Sequence, residues 1–429
     1  MEIPQIIEML KEIKADAWEI EECVNESWQF YFIRHALDQN RLVRTTHTIV
    51  RVYREMEDGK LLGSASEEIP KTARPDEVRK ILDSLMERAS YVKNPFYTLN
   101  PPSKESGRES ADSPGCDAAS TAAAFLKMME SVSEDEEAYL NSYEIFTNVK
   151  TVRFVNSRGV EREAAYPDSM LEVVVNAGNK EHEIELCRIF TMGTCDEKAL
   201  KESVEEVMRI GRDRLRARPM PDLQKIPVLF TSSDARELCG FFTQRLDAAF
   251  KKKGYTDWEI GRSIFGGEME TKVTVETLKK LPNSSCNRAF DMEGALRSDA
   301  VMMKDSVPLK FLGKRQFSCY LGLKDSFVPG NYRISGGLHT EEELRSGDYL
   351  EAVEFSDFQT DALSGNLAGE VRLAYWHHDG EVIPVTGGSI SATMMEAAKT
   401  MKMSRNLKQY DNMEIPAVIR LEDVSVTGA

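Results

Sequence analysis

The stretch YEIFTNVKTVRFVNSRGVEREAAY, residues 143–166, is typical of two strands joined by a tight turn. Asn and Gly within Asn156-Ser157-Arg158-Gly159 favour the turn, because both residue types tolerate positive φ angles. The run that follows, MLEVVVNAGNKEHEIELCRIF at 170–190, predicts two more strands around residues 176–179. Consecutive strands separated by short turns indicate an antiparallel sheet in this part of the chain.

The segment before this sheet predicts helix, strands and helix in that order. An apolar stripe with helical spacing opens the chain, and strand-like alternation with a hairpin signal at Asp58-Gly59 extends to Ser66. After Pro75, apolar residues spaced by three and four predict an amphipathic helix. The Pro-, Ser- and Gly-rich residues 98–116 predict a loop or linker, and a short helix is expected at 118–132.

The segment after the sheet begins with a helix for which Thr194 is the expected cap and which ends near Arg216. Residues 217–222 contain two prolines, which stop that helix and mark a boundary. Beyond it, IPVLFTS at 226–232 predicts a buried strand and SSDARELCGFFTQRLDAAFKKK at 232–253 predicts a helix.

Strand runs and helix runs follow one another without the βαβ pattern, so the expected fold class is α+β, with mostly antiparallel sheets and flanking helices. The predicted organisation has four parts. They are an N-terminal α+β domain at 1–97, the loop or linker at 98–116, a middle α+β domain at 117–218, and a strand-rich C-terminal domain at 222–429 with one helix at 392–403.

The composition is that of an acidic globular protein. Hydrophobic residues make up 41% of the 429 residues, and the net charge of −16 repels a polyanion, which argues against nucleic-acid binding. No apolar run is long enough to span a membrane, and the N-terminus lacks the features of a signal peptide, so we expect a cytoplasmic protein. The seven cysteines are widely spaced and form no CxxC, which favours reduced thiols.

Histidine is too scarce for an evident zinc centre. A zinc hydrolase needs converging ligands and a carboxylate that handles the proton of the bound water, which on a helix gives HExxH or HExxxH. The one His-Glu pair is His182-Glu183, and Leu186 and Cys187 stand where the second histidine would be. The surrounding alternation predicts a strand, so a metal site at His182 and Cys187 is the weaker interpretation.

Three further groups carry chemistry without completing a motif. His377-His378 lies in a strand-like run, so the two rings are expected on opposite faces. His339 precedes Thr340-x-x-Glu343, a capping box, which gives it a local structural role. Asp291 and Glu293 either share one face of a strand, where they could bind a cation or a substrate amine, or lie in a solvated turn. The sequence has no phosphate-binding glycine loop and no serine-nucleophile elbow.

Several segments, taken in order, resemble the TldD/PmbA family, which is tied to peptide maturation and was once described as a modulator of DNA gyrase. The resemblance spans most of the chain, although LSGN at 363–366 departs from the family's usual TGDF-like form. The gyrase connection has no support in the acidic charge or in a nucleic-acid motif. The segments are DGKLLGSAS (58–66), EVRKILDSLMERASYVKNPFYTL (77–99), VRFVNSRGV (152–160), FDMEGALRSDAV (290–301), SGGLHTEEEL (335–344), DALSGNLAGEVRLAYWHHDGEVIPVTGGSISATMMEAAKTM (361–401) and IRLEDVSVTG (419–428).

The resemblance implies a three-part α+β chain that dimerises around an enclosed cavity. Family members of the TldD type carry HExxxH on the helix after the strand at 226–232, and its positions fall here on Gly240, Phe241 and Arg245. Glycine has no ligand, phenylalanine takes no proton and arginine stays cationic, so none can do this work. The resemblance therefore implies the PmbA (TldE) type, with no catalytic residue, no metal and no cofactor of its own, and with zinc expected only in a TldD-type partner.

The leading hypothesis is a non-catalytic PmbA/TldE-like subunit of a TldD-type metallopeptidase assembly. It would form a homodimer or a heterodimer with a TldD-like zinc peptidase, admit unfolded or extended peptides, and bind neither nucleic acid nor membrane. Two alternatives stay open: a homodimeric peptide-binding protein without hydrolase activity, and a hydrolase with an unconventional metal site at His182, His377 or His378. The residues expected to contact peptide are Arg245, Arg288, Asp291, Glu293, Asn366 and His378.

Overall fold

The computed structural model describes residues 1–103, 117–179, 181–324 and 327–429. The helices are α1 (Ile3–Glu12), α2 (Pro75–Tyr91), α3 (Ala118–Glu130), α4 (Glu197–Arg216), α5 (Ala235–Arg245), α6 (Ala248–Lys252), α7 (Arg315–Tyr320), α8 (Glu341–Leu344) and α9 (Met394–Thr400), with a short 3-10 helix at Ile264–Gly267. In these described ranges no helix is both long and apolar enough to cross a membrane.

The strands up to the middle of the chain are β1 (Ala17–Ile33), β2 (Ala36–Met56), β3 (Leu61–Ile69), β4 (Asn94–Pro95), β5 (Ala138–Asn156), β6 (Glu161–Asn179), β7 (His182–Met192), β8 (Arg218–Pro219), β9 (Gln224–Phe230) and β10 (Thr274–Leu278). The later strands are β11 (Ala300–Lys304), β12 (Val307–Pro308), β13 (Asn331–Ser335), β14 (Tyr349–Thr360), β15 (Asn366–His378), β16 (Glu381–Thr386), β17 (Ser389–Thr393), β18 (Lys402–Met403), β19 (Leu407–Tyr410), β20 (Met413–Pro416) and β21 (Ile419–Thr427).

The first sheet has the order β4-β3-β2-β1-β5-β6-β7, and its long neighbouring strands are antiparallel, as predicted. β1 lies between β2 and β5, so strands from both sides of residues 98–116 share this sheet. The apolar stripes of α1 and α2 bury one part of it, and those of α3 and α4 bury another. The division of this half into units at 1–97 and 117–218 stays a prediction about independent folding.

Two predicted turns of this sheet are confirmed. Between β2 and β3, Asp58 and Gly59 have φ angles of 53° and 78°, in the left-handed region that a tight hairpin turn requires. Between β5 and β6, the side-chain oxygen of Asn156 accepts hydrogen bonds from the backbone N–H groups of Arg158 and Val160, both at 3.0 Å. The asparagine therefore replaces backbone partners that the turn itself leaves unpaired.

Local hydrogen bonds shift two predicted helix boundaries. Asp196, rather than Thr194, caps α4, because its carboxylate accepts a hydrogen bond from the first turn at 3.1 Å. The Thr194 hydroxyl instead donates to Asn283 at 2.9 Å. The single helix predicted at 232–253 divides into α5 and α6, since Asp247 adopts an extended conformation and caps α6.

Two more boundaries differ by a few residues from the prediction. The helix expected at 392–403 begins only at Met394, because the preceding residues form β17 and pair with β15 and β21. The turn predicted at 176–179 lies later, since β6 continues to Asn179 and β7 begins at His182. In both places pairing with a neighbouring strand extends the regular structure beyond the local turn signal.

The start of the predicted 98–116 linker is buried, contrary to expectation. Leu99 is 3% exposed and Asn100 is 7% exposed. The Asn100 side chain donates to the backbone carbonyl of Glu293 at 3.1 Å, and its own carbonyl accepts a hydrogen bond from the β5–β6 turn at 2.9 Å. These long-range contacts fix a polar segment that local composition predicts to be solvated. The remainder of the predicted linker, residues 104–116, lies outside the described residues.

The second half of the chain forms two further sheets. One has the order β12-β11-β10-β13-β20-β19, and the other has the order β14-β9-β21-β17-β15-β16-β8, with β18 paired to β21. β14 also pairs with β15, so β14, β9, β21, β17 and β15 close into a ring. A continuous apolar core joins these sheets to α5, which packs on β14. This packing places α5 beside the β14–β15 hairpin, where the candidate site lies.

Candidate functional site

An open cavity of about 550 Å³ lies where α5 meets the β14–β15 hairpin. Its wall contains three carboxylates, two side-chain amides and a threonine hydroxyl, and it contains no lysine or arginine. We call it the acidic groove. The residues that line it are Glu237, Asp357, Gln359, Thr360, Asp361, Asn366, Leu367 and Ala368.

The alternation of side chains along β14 and β15 determines which residues form the hairpin side of the acidic groove. Asp357 and Gln359 occupy alternate, exposed positions of β14, and Ala368 lies directly opposite Gln359 on β15. The Gln359 amide donates to the Asp357 carboxylate at 3.1 Å. Asn366, two residues before Ala368, shares that face and is exposed. Thr360, the last residue of β14, also lines the groove, and it is 7% exposed.

Asp361 shapes the turn between β14 and β15. Its carboxylate accepts hydrogen bonds from the Ser364 hydroxyl at 2.6 Å and from the Leu363 backbone N–H at 2.9 Å. These bonds hold the pKa of Asp361 below its ordinary value, and the bond from Ser364 has the largest effect. Gly365 ends the turn with a φ of 79°, a conformation that favours glycine. Asp361 is therefore an ionised carboxylate that is largely engaged by its own turn.

Arg245, at the end of α5, holds this turn from behind. Its side chain is 3% exposed and lies against the rings of Phe241 and Trp258, at 4.9 Å and 5.5 Å from the ring centroids. The guanidinium donates to the backbone carbonyls of Ala362 at 2.9 Å and Leu363 at 3.0 Å. These contacts make Arg245 a positioning residue for the groove wall.

The residues of α5 do not fit a zinc ion. The helix contains no histidine, so this conclusion holds for any register of HExxxH. Gly240 offers no ligand and Phe241 is fully buried in the apolar core. Cys239 is also fully buried, and burial raises the pKa of its thiol, which disfavours the thiolate that metals bind. The α5 side chain that reaches the groove is Glu237, whose pKa is raised by partial burial.

Arg288, Asp291 and Glu293 lie together, but not among the residues that line the groove. The acidic pair occupies a turn rather than a strand, and it is buried rather than solvated, with exposures of 1% and 7%. Asp291 accepts three backbone hydrogen bonds at 2.7 to 3.0 Å, which replace water around the carboxylate. Burial nevertheless raises its pKa. Arg288 pairs with Glu21 of β1 at 2.5 Å, so this cluster joins the two halves of the chain.

A further buried carboxyl, Glu19, lies near Glu293. Glu19 is 4% exposed, accepts a hydrogen bond from the Tyr53 hydroxyl at 2.7 Å, and lies 3.3 Å from the Arg51 guanidinium. Burial raises its pKa to about 7, and the charge of Glu293 acts in the same direction, whereas Tyr53 and Arg51 oppose the change. Glu19 therefore titrates near neutrality inside the joint between the first sheet and the second half of the chain.

His377 and His378 face opposite sides of β15, as predicted. The His377 ring stacks on Tyr349 with 4.2 Å between ring centroids, and the His378 ring stacks on Trp376 at 4.7 Å. The Nδ1 atom of His378 lies 2.6 Å from a carboxylate oxygen of Asp348. The two imidazoles therefore have different electrostatic surroundings although they are adjacent in sequence.

One side-chain cluster has the composition of a metal site. In the described part of the chain, Asp348, His378 and Asp379 are the one group of three or more His, Cys, Asp or Glu residues whose ligand atoms lie within 4.8 Å of one another. His182 and Cys187 do not belong to such a group among these residues. The cluster is on the surface, distant in sequence from α5.

The two adjacent histidines are expected to titrate on opposite sides of pH 6.5, the ordinary imidazole value. Burial lowers the pKa of His377, whereas the hydrogen bond to Asp348 raises the pKa of His378. NMR titration of the assigned imidazole resonances measures both midpoints. Asp348→Asn is expected to lower the pKa of His378 and to leave that of His377 in place. A common midpoint for both rings would contradict these environments.

Asn366 is the predicted peptide-contacting residue that lines the groove, and Arg245 supports it from behind. The substrate contacts predicted for Arg288, Asp291, Glu293 and His378 stay predictions. Seven other lining residues were not predicted as peptide contacts, and a local signal existed only in the alternation of β14. Those residues are Glu237, Asp357, Gln359, Thr360, Asp361, Leu367 and Ala368.

Residues 223–428 match the family model described as the PmbA/TldA metallopeptidase C-terminal domain. No curated protein matches the sequence. The α+β fold with antiparallel sheets and flanking helices recurs in solved structures that align with 99% of this chain. Because their sequence identities are low, these structures show the fold alone.

Three of those structures illustrate the similarity. TldE from Thermococcus kodakarensis has a TM-score of 0.74 at 14% identity, with 100% of its chain covered. A candidate modulator of a DNA gyrase from Thermotoga maritima has a TM-score of 0.74 at 16% identity, with 99% covered. A candidate modulator of DNA gyrase from Bacteroides thetaiotaomicron has a TM-score of 0.76 at 12% identity, with 98% covered.

Proposed function

Because this chain belongs to the PmbA/TldD family, we propose that it is a non-catalytic, PmbA/TldE-like subunit of a metallopeptidase assembly. A TldD-type partner supplies the zinc ion and the catalysis, and this chain supplies part of the wall of a cavity that admits extended or unfolded peptides. One observation carries the proposal: α5, the helix that follows β9, contains no histidine and buries its one cysteine. A zinc site on this helix would have the Glu237 carboxylate but neither a histidine nor an accessible thiolate, which is short of a ligand set.

The acidic groove supports the peptide-holding part of the proposal. An extended peptide presents N–H and C=O groups that need partners, and the side-chain amides of Gln359 and Asn366 can donate and accept hydrogen bonds. A volume of about 550 Å³ accommodates a few residues of peptide. The lining residues include no histidine, cysteine or lysine, so the groove lacks the bases that most often activate a hydroxyl or thiol nucleophile.

A second candidate function is hydrolysis at an unconventional metal site, and the Asp348, His378 and Asp379 cluster favours it. The two ring nitrogens of His378 face different carboxylates, Nδ1 towards Asp348 at 2.6 Å and Nε2 towards Asp379 at 3.4 Å. A protonated imidazole between two carboxylates explains this arrangement without a metal. The non-catalytic role is therefore preferred, and any cleavage that His378→Ala abolishes without unfolding the chain would restore the alternative.

The proposal is tested by zinc content and peptide cleavage. The purified chain is expected to contain substoichiometric zinc by atomic absorption and to leave fluorescein-labelled, unfolded casein intact. When it is mixed with a relative that carries HExxxH, the two chains are expected to co-elute in size-exclusion chromatography, and the mixture is expected to cleave the same substrate. That relative alone, and the mixture after treatment with a chelator, are the controls.

Each outcome separates the competing roles. Stoichiometric zinc and robust cleavage by this chain alone would overturn the non-catalytic role. A stable homodimer that binds casein, ignores the HExxxH relative and shows no cleavage would favour the homodimeric peptide-binding alternative.

A further inference from the structure

The residues that line the acidic groove carry an excess of negative charge. Three carboxylates, from Glu237, Asp357 and Asp361, line it without a lining lysine or arginine. Asp361 is engaged by its own turn, and Asp357 shares one oxygen with the Gln359 amide at 3.1 Å. Within the described residues the Glu237 carboxylate accepts no hydrogen bond, and the cation that acts on it is the neighbouring Arg236, whose guanidinium donates to Asn412. Two of the three carboxylates therefore have oxygens free for a ligand.

A second observation in the same wall also indicates a missing partner. Thr360 is 7% exposed, and its hydroxyl oxygen has no hydrogen-bond partner in the part of the chain that the structure describes. Buried hydroxyls are normally paired, because an unpaired one loses its hydrogen bonds to water without compensation. The hydroxyl accepts and donates, so a bound donor in the groove would satisfy it.

The arrangement favours an organic cation over a metal ion. Apart from the surface cluster at His378, no three acidic, histidine or cysteine side chains in the described ranges bring ligand atoms within 4.8 Å of one another. The three groove carboxylates therefore do not converge on one ion, whereas a metal needs ligands at roughly 2 to 2.6 Å. An ammonium group is attracted by carboxylates at distances longer than metal–oxygen bonds, and the peptide N–H groups beside it can meet further acceptors.

We propose that the acidic groove binds the primary ammonium group of an extended peptide, with Glu237 and Asp357 as its counter-charges and the Thr360 hydroxyl as a further partner. An ammonium group donates three hydrogen bonds, and neighbouring peptide groups meet Gln359 and Asn366. The ammonium comes from a free amino terminus or from a lysine side chain. This inference rests on the proposed peptide-holding function and adds the charge that the groove selects.

Fluorescence anisotropy with four short peptides separates these sources. All carry a C-terminal fluorophore and the same polar sequence. One has a free amino terminus and no lysine, one is acetylated without lysine, one is acetylated with a single internal lysine, and one is acetylated with norleucine in its place. Tighter binding of the first peptide than of the second assigns the amino terminus, and tighter binding of the third than of the fourth assigns the lysine side chain.

The double variant Glu237→Gln/Asp357→Asn is expected to weaken binding of the cationic peptide about tenfold or more and to leave the neutral peptides unchanged, because the two lost charged contacts together contribute at least about a factor of ten. Asp38→Asn/Glu136→Gln is the matched control. It removes the same two charges from exposed positions elsewhere and is expected to bind as the wild type does, which excludes a general effect of net charge.

Thr360→Val tests the hydroxyl separately. It is expected to weaken binding of the cationic peptide severalfold while thermal stability stays equal or rises, since valine removes a buried group that has no partner. Equal binding of all four peptides, or an unchanged preference in the double variant, would overturn the inference and leave the peptide-holding function standing. Failure of all four peptides to bind would overturn both.

Discussion

Arg245→Leu is expected to lower the free energy of unfolding by about 3 kcal/mol. The substitution keeps an apolar stem between Phe241 and Trp258 but removes the donors for the backbone carbonyls of Ala362 and Leu363. Ala362 is 3% exposed, so its carbonyl has little access to water in compensation. Chemical denaturation followed by circular dichroism measures the change.

Arg245→Leu is also expected to weaken binding of the cationic peptide, because the turn that follows β14 loses its support. The stability and peptide binding of Arg245→Lys are expected to lie between those of Arg245→Leu and the wild type, since lysine keeps the charge but not the planar set of donors. Arg262→Leu is the control. Its side chain is 79% exposed and only 3.6 Å from Glu259, so a change within about 0.5 kcal/mol is expected. A similarly small change at Arg245 would show that these carbonyls do not depend on the guanidinium.

The wild type is expected to lose about 3 kcal/mol of unfolding free energy as the pH rises and Glu19 ionises, and Glu19→Gln is expected to avoid this loss. The ordinary carboxyl value is 4.5 and burial raises the pKa of Glu19 to about 7 in the folded protein. The folded state therefore holds the proton more tightly than the unfolded state. The contribution of Glu19 to stability is fully present below pH 4.5 and is lost as the pH rises through about 7.

The measurement is the difference in unfolding free energy between Glu19→Gln and the wild type across this pH range. Glutamine still accepts the hydrogen bond of Tyr53 but cannot ionise, so the difference is expected to grow in favour of the variant as the pH rises. Glu26→Gln, on the same strand but with a side chain 54% exposed, is the control and is expected to follow the wild type. A difference that stays constant with pH would contradict a buried, titrating Glu19.

Much of the fold could be predicted because its determinants are local. Alternation along β1, β2, β5 and β6, and left-handed turn formers such as Asp58-Gly59, act over a few residues. The errors arise where distant residues decide. Asn100 is buried by contacts with Glu293 and the β5–β6 turn, and the buried Asp291 accepts hydrogen bonds from the backbone of two segments. No local pattern contains these partners.

The candidate site was less accessible to prediction for the same reason. The helix after β9 could be located, and its lack of histidine was visible at once. However, the groove forms only because α5 packs against β14, so Glu237 lies beside Asp357, 120 positions later in the sequence. The peptide contact predicted for Arg245 stays a prediction, and the guanidinium donates to the backbone carbonyls of Ala362 and Leu363.

The position of β1 between β2 and β5 has a consequence for synthesis of the chain. Glu19 pairs with Asn156 and Phe30 pairs with Ile145, so the partner strand leaves the ribosome on the order of ten seconds after β1. During that interval the growing chain has an open strand edge, next to a hairpin tip that exposes Leu37 and Leu42. The nascent chain is therefore expected to need shielding by a chaperone until β5 arrives, and rapid translation would shorten the exposed period.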